Sequence, residues 1–269
     1  MKLRGSIFGL IDLFKYDNWF QLLISRLFFR FRGTNVYFFK GLKIIVNNSA
    51  GDLAGLNSCL FTEMYFKLIK KIKIPEKPII LDIGSHIGGF SILLKTLGIK
   101  PLKMVCVEMN PSTFKRLWFN IRENFDCDLD VINAALAGKN GYQTLYLGAG
   151  STGDNLISGK IKSLETNGQL IQFITFDSLY ESYLKGPFKI IDLCKIDIEG
   201  GEYPVFLESK KHKKLKRCRY LIIEIHGENP GPKNKLIKRF EELGFCKEDD
   251  VDSKNNVFLF TNNKLMNKR

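Results

Sequence analysis

The sequence predicts an α/β fold: a parallel sheet covered by helices on both faces, preceded by an N-terminal elaboration of helix and hairpin. Three observations predict it. From Ile79 onward, short apolar runs alternate with segments of helical spacing, the pattern of a doubly covered parallel sheet. The first run passes directly into a glycine-rich turn, IILDIGSHIGGF over residues 79–90. The second ends in an acid, Glu108. A chain of 269 residues with 45% hydrophobic content suits one large domain with an added piece.

The elements follow in order. Residues 1–74 form the elaboration. Trp19, Phe20, Leu22, Leu23, Leu27, Phe28 and Phe31 interleave with Arg26, Arg30 and Arg32, as in a basic amphipathic helix. Residues 36–46 are β-rich around Lys40-Gly41 and predict a hairpin. Phe61 to Ile72 has helical spacing, and Pro75 and Pro78 then punctuate the chain. The main domain spans 75–262. Its predicted strands are Ile79–Ile83, Met104–Glu108, Leu129–Asn133, Ile190–Ile196 and Arg219–Ile225. Its helices are Gly88–Leu97, Pro111–Asn124, one from about Glu202, and Lys233–Leu243, with Pro111 at a favoured first-turn position. Short β-like runs at Gln143–Leu147 and Leu170–Phe176 flank a Gly/Ser loop at 148–159. Asp177 reads as an N-cap or first-turn acid of a helix at Ser178–Leu184. Phe245–Glu248 and Val257–Thr261 close the domain as a hairpin, and residues 263–269 read as a frayed basic tail.

The net charge of +13 points to nucleic acid, an anionic membrane or an acidic substrate, or simply to AT-rich coding. None of the six cysteines forms a C-x-x-C pair, which argues for a reducing compartment and against a paired-thiol zinc site. The N-terminus reads as lacking a signal peptide, and Trp19–Phe31 is too short to span a bilayer. A cytoplasmic location is expected. The ordinary reading of the amphipathic stripe is packing against the body of the protein; the alternative is peripheral membrane contact through residues 1–32.

Ligands of such sheets sit beyond the carboxyl ends of the strands. A dinucleotide turn needs G-x-G-x-x-G, but here the spacing is Gly84-x-x-x-Gly88-Gly89, with His86 in the middle glycine's place. No Gly-Lys-Ser/Thr of a nucleotide-triphosphate loop follows. Asp82-x-Gly84-x-x-x-Gly88 instead suits a ligand with an amino-acid end and a nucleoside end. Asp82 would face an ammonium, and Gly84 would let backbone pass close to the ligand. Glu108, 24 residues after Gly84, would accept hydrogen bonds from ribose hydroxyls.

These pieces resemble the FkbM-type S-adenosylmethionine-dependent methyltransferases. The matching stretches are ILDIGSHIGGFSILL (80–94), VCVEMNPSTFKRLWFNI (105–121), INAALAGKNG (132–141), ITFDSL (174–179), LCKIDIEGGEYPVF (193–206) and LIIEIHG (221–227), in the right order. The chain departs from the family pattern at His86, where Asn is usual. The resemblance implies a Rossmann-like, seven-stranded class I methyltransferase sheet. It implies S-adenosylmethionine as donor and, often, O-methylation of a sugar or secondary-metabolite hydroxyl. On that reading Asp82, Gly84, Ser85, His86, Gly88 and Phe90 cradle the cofactor and Glu108 holds its ribose. Met109 and the Asn133-Ala134 corner flank its adenine.

Methyl transfer needs alignment of donor and acceptor and removal of a hydroxyl proton. Asp197 and Glu199 follow the fourth core strand, and Glu224 and His226 end the fifth. His226 is the first choice of base, because an ordinary imidazole titrates near working pH. Asp197 and Glu224 would orient His226 or the acceptor. A divalent metal among them is not the favoured reading, since Asp197 and Glu199 on an irregular turn need not point the same way. His86 is a second base candidate, and His212 in KKHKKLKR reads as part of a solvated face. Asp154 and Asn155, in the loop at 148–159, are placed to touch an acceptor.

Two other functions compete. The basic stretches at 67–77 and 210–219 suggest a nucleic-acid methyltransferase, but the position after the fourth strand reads Asp197-Ile-Glu-Gly rather than Asp/Asn-Pro-Pro-aromatic, and no Pro-Cys pair offers a nucleophile. A non-catalytic membrane-surface protein would not need Asp82, Gly84, Gly88 and Glu108 together. A small-molecule or glycan acceptor is expected, and a lipid-linked glycan would unite O-methylation with the amphipathic N-terminus.

Overall fold

The computed structural model describes residues 11–28, 33–147, 168–184, 186, 189–227, 229–248 and 256–266. The described residues open with a 3₁₀ turn (Asp12–Lys15), helix α1 (Trp19–Phe28) and the hairpin β1 (Thr34–Phe39) and β2 (Leu42–Asn47). Helices α2 (Asp52–Phe61) and α3 (Met64–Lys71) follow. The helix expected at 61–72 is α3, which starts at Met64 because Thr62 is extended (φ −100°, ψ 159°); α2 ahead of it was not expected. Alternation then sets in: β3 (Ile79–Ile83), α4 (Gly89–Thr96), β4 (Lys103–Glu108), α5 (Pro111–Asn124) and β5 (Asp128–Asn133). A small sheet interrupts it, formed by β6 (Ala135–Leu136), β7 (Gly141–Leu145) and β8 (Gln169–Ile174) in the order β6-β8-β7. After α6 (Phe176–Tyr183) come β9 (Ile191–Ile196), β10 (Cys218–Glu224), α7 (Pro230–Glu242), β11 (Cys246–Lys247), β12 (Val257–Thr261) and α8 (Asn263–Met266).

The main sheet has seven strands in the order β11-β12-β10-β9-β3-β4-β5. β10, β9, β3, β4 and β5 run parallel, and β12 is antiparallel to both neighbours. The central strands read as near-continuous apolar runs because both their faces are covered: all of β3, β4 and β9 is buried. One core, around Phe176, Phe206, Phe240 and Phe260, fills one side of the sheet. The other side is filled by a second core that includes Leu13, Tyr16, Tyr37, Leu56 and Tyr65 of the N-terminal segment together with Phe90 and Leu117. The elaboration is therefore a working layer of the domain rather than an appendage.

Short-range chemistry fixes the helix starts. Asn110 caps α5 by accepting from Ser112 N and Thr113 N, Thr175 caps α6 by accepting from Ser178 N, and Asn229 caps α7 by accepting from Gly231 N. Asp177 lies in the first turn of α6 and accepts from Lys214 N. The free edge of β2 is covered by two amides from α5. Asn120 accepts from Ile45 N and donates to Ile45 O, and Asn124 does the same with Lys43.

The helix expected from about Glu202 is present, with a π-helical turn at Pro204–Glu208. Three expectations are corrected. The tail from 263 is not frayed up to Met266: α8 buries Leu265, whose carbonyl accepts from Arg219 Nε. His212 is buried beside the Phe206 ring, at 5.5 Å between centroids, while the lysines around it face outward. The stripe of α1 does not pack inward. Leu22 is its one buried residue, whereas Phe20, Leu27 and Phe28 are 59%, 67% and 75% exposed. Phe31, the loop 148–159 and its Asp154 and Asn155 lie outside the described residues. No described helix is long and apolar enough to cross a membrane.

Candidate active site

The strand order reverses at β3: β4 and β5 lie on one side of it, β9 and β10 on the other. A cavity of about 340 Å³ opens there, at the carboxyl ends of β3, β4, β9 and β10. Its floor is set by Gly84. A side-chain carbon at Gly84 would stand 1.6 Å from Asp197 O, and the residue holds φ +70°. This glycine is thus demanded by the closeness of the β3 and β9 ends rather than by room for a ligand. Gly88 (φ +93°) serves helix packing, since a side-chain carbon would press on Ile121 and Leu117 of α5 at 3.1 and 3.2 Å.

Asp82 is wholly buried and lies under the cavity, off its wall. It is the register partner of Lys195 on β9. Lys195 Nζ donates to Gly84 O at 2.8 Å and stands 3.3 Å from Asp197 Oδ2 and 3.8 Å from Asp82 Oδ1. Burial alone would lower the Lys195 pKa, but Asp197 and Asp82 raise it above the usual lysine value. The ammonium therefore stays charged and ties the two strand ends together. Ser91 Oγ donates to Asp82 Oδ2 at 2.7 Å. Ser85 is on the wall, yet its hydroxyl is engaged with Asp82 O and Val107 N.

At the β4 end Glu108 accepts from His86 N (3.0 Å) on one oxygen and from Asn110 N (2.8 Å) on the other. Burial raises its pKa, against the pull of those two N–H groups. Each carboxylate oxygen keeps a further acceptor position, so the group is held rigidly with capacity to bind a pair of hydroxyls. Met109, Ala134, Ala135 and Leu136 form the apolar wall beside it. Asn133 is off the wall and braces this corner, donating to Glu108 O and Met109 O. His86 holds a left-handed φ of 52°, and its Nε2 faces Asp52 Oδ1 at 3.4 Å. Asp52 is fully buried and receives Arg116 Nε and Nη2 and Asn47 N. Burial would raise its pKa, but His86, Arg116 and the Asn47 N–H hold it below the usual carboxylate value.

The opposite end of the cavity is acidic. Asp197, Glu199 and Glu224 line it, together with Tyr65 of α3 and Ala54, Gly55, Ser58 and Cys59 of α2. Behind them His226 Nε2 stands 3.3 Å from Glu199, 3.5 Å from Glu224 and 3.9 Å from Asp197. Its Nδ1 meets Glu202 Oε1 at 3.2 Å, and Tyr203 Oη donates to His226 O. Burial and the charge of Asp197 push Glu199 and Glu224 each up to about 7. His226 resists burial through Glu202, Asp197 and Glu199 and is pushed up to about 9.

The profile of the FkbM methyltransferase domain matches residues 82–246, more than half of the chain. The chain belongs to the FkbM methyltransferase family. Its domain is that of an S-adenosylmethionine-dependent methyltransferase. No curated protein matches the sequence. Among solved structures, the FkbM methyltransferase of Methylobacillus flagellatus superposes with a TM-score of 0.50 at 13% identity, over 75% of this chain and 48% of that one. The chain thus spans about half the length of that relative. The fibrillarin of Aeropyrum pernix, crystallised with S-adenosylmethionine, gives a TM-score of 0.44 at 14% identity, over 85% and 93% of the two chains. A methyltransferase of Pyrococcus furiosus gives 0.42 at 13%, over 96% and 98%. Such identities reflect a shared fold and nothing finer.

Within the FkbM domain, the cofactor residues expected from the sequence divide into two groups. Gly84, Ser85, His86, Phe90, Glu108, Met109 and Ala134 reach the cavity wall, whereas Asp82, Gly88 and Asn133 stand behind it as supports. Of the expected catalytic groups, Asp197, Glu199 and Glu224 reach the wall. His226 sits behind them and does not reach the wall. Asp197 and Glu199 do point the same way, because Glu199 adopts a left-handed φ of 51° that folds the turn back on itself. Lys195 and Tyr65 were missed. A lysine inside an apolar strand, aligned with Asp82, was the available signal for the first. Nothing local in α3 marks the second.

Proposed function

We propose that this methyltransferase O-methylates a hydroxyl of a sugar or other polyhydroxylated small molecule. The carrying observation is the acidic wall of Asp197, Glu199 and Glu224 at the ends of β9 and β10. Carboxylates accept hydrogen bonds from hydroxyl groups, so the wall suits an acceptor rich in them. The same wall opposes a phosphodiester chain, which counts against nucleic acid despite the net charge of +13.

The cavity fits S-adenosylmethionine. Glu108 keeps free acceptor positions for ribose hydroxyls, Met109 and Ala134 offer an apolar face to a base, and the Gly84–Phe90 turn closes the floor. When bound, the cofactor supplies an electrophilic methyl carbon, and transfer converts the acceptor hydroxyl to a methyl ether. Glu224 is the base of this reading. It lies on the cavity wall, whereas His226 stands behind the wall and does not reach it. Incubation with methyl-labelled S-adenosylmethionine and a panel of free sugars, glycolipids and RNA tests the assignment. Label in a sugar or glycolipid is expected; label confined to RNA overturns it. Against the labelled acceptor, E224Q should lower kcat by about 10²-fold or more while leaving S-adenosylhomocysteine affinity unchanged.

A second observation favours a lipid-linked acceptor. Phe14, Phe20, Leu27 and Phe28 are exposed apolar side chains of the N-terminal segment, as contact with a lipid surface would require.

A further inference from the structure

We propose that Asp197, Glu199 and the Nε2 atom of His226 form a binding site for one divalent cation of the manganese type. The argument rests on how the groups converge. Their donor atoms lie within 4.8 Å of one another. Metal–oxygen and metal–nitrogen bonds of about 2.1 Å place opposed ligands about 4.2 Å apart, so small side-chain rotations close the set.

A proton at Nε2 does not explain the arrangement. A single ring N–H points at one acceptor, yet oxygens of Glu199, Glu224 and Asp197 crowd Nε2 at 3.3, 3.5 and 3.9 Å. A central cation satisfies Nε2, Glu199 and Asp197 at once. Asp197 Oδ1 is itself enclosed with no hydrogen-bond partner. The charge balance agrees. With His226 neutral as a ligand, Asp82, Asp197, Glu199, Glu202 and Glu224 cluster around the ammonium of Lys195 and the His226 ring.

The support behind His226 is the second, independent observation. Glu202 is completely buried, one of its oxygens meets Nδ1 at 3.2 Å, and the other has no partner. A buried carboxylate on the far ring nitrogen fixes the imidazole with Nε2 aimed at the cluster, which is how metal-bound histidines are held. Two carboxylates and one imidazole suit a cation that takes oxygen readily and tolerates one nitrogen. Glu224 remains free on the wall. Where the site serves O-methylation, which rests on the function proposed above, the cation holds the acceptor's hydroxyl oxygen beside Glu224.

Mn²⁺ titrated alone into the full chain, followed by electron paramagnetic resonance, tests the site without cofactor or acceptor. One bound ion per chain is expected, with spin-echo modulation from a coordinated imidazole nitrogen. E199Q and H226N should each weaken binding by about tenfold or more, H226N should erase the nitrogen modulation, and E202Q should weaken binding about 10–100-fold. Glu199 is partly exposed, so E199Q tests the site even if H226N fails to fold. A spectrum of free Mn²⁺ at millimolar metal, or binding equal in wild type and E199Q, overturns the proposal. S-adenosylhomocysteine binding in the same sample separates the two readings: a protein that binds the nucleoside and ignores Mn²⁺ retains the methyltransferase assignment and loses the metal.

Discussion

Glu108 shows how a single carboxylate is prepared for a ligand. Two backbone N–H groups fix it, burial strips its water, and its remaining acceptor positions face the cavity. Hydrogen bonds to a charged group contribute roughly 1.5–3 kcal/mol each. E108A should therefore weaken S-adenosylhomocysteine binding by at least about tenfold in isothermal titration, and should also lower the melting temperature, because His86 N and Asn110 N lose their acceptor. Gly84 should behave differently. Any side chain there meets Asp197 O and must also hold a left-handed φ. G84A should lose at least about 3 kcal/mol, roughly 6–12 °C in melting temperature, whether or not a ligand is present. A G84A protein with normal stability would mean that the β3 and β9 ends separate easily. Lys195 belongs with Gly84, because K195M leaves Asp82 buried without a counter-charge and should cost about 3–5 kcal/mol.

At the scale of elements, the parts legible in the sequence were those whose pattern is local. The strands at 79–83, 104–108, 129–133, 191–196 and 219–224 were readable because a strand covered on both faces is simply an apolar run. Glu108 and Asp197 were readable because they sit where such runs stop. Helix α2 was not readable: Gly55, Asn57 and Ser58 dilute its apolar stripe, and it is helical because it packs on α4, where Gly89 lies against Cys59. Its role in the cavity was hidden for the same reason. The burial of His212 was equally illegible, since only the tertiary neighbour Phe206 distinguishes it from the lysines beside it. Asp52 is the joint that holds α2 in place, through Arg116 of α5. Its folded pKa is depressed, so its contribution is present above the unfolded value near 4 and is lost as pH falls through the folded value. D52N should lower the melting temperature at pH 7, and the gap to wild type should shrink as pH drops below about 4. An unchanged gap at low pH would show that packing, not charge, holds the joint.

At the scale of the whole molecule, two unlike surfaces must be reconciled. One wall of the cavity is acidic, while the chain as a whole carries +13 and presents aromatic and aliphatic side chains on α1 and the turn before it. A soluble acceptor would need neither the excess of cations nor an exposed Phe20, Leu27 and Phe28. Burying each of these side chains in a bilayer interface contributes at most about 1.5–3 kcal/mol, and lysines and arginines add attraction to anionic headgroups that salt screens. The full chain should therefore float with phosphatidylserine-containing vesicles at low salt, float less as salt rises, and float little with neutral vesicles. The triple variant F20E/L27E/F28E should stay at the bottom of the gradient while binding S-adenosylhomocysteine as wild type does, because none of the three residues reaches the cavity wall. Wild-type protein that fails to float with any vesicle would remove the lipid surface from the account. The exposed face of α1 would then require a protein partner, and the acceptor would be sought among soluble glycans.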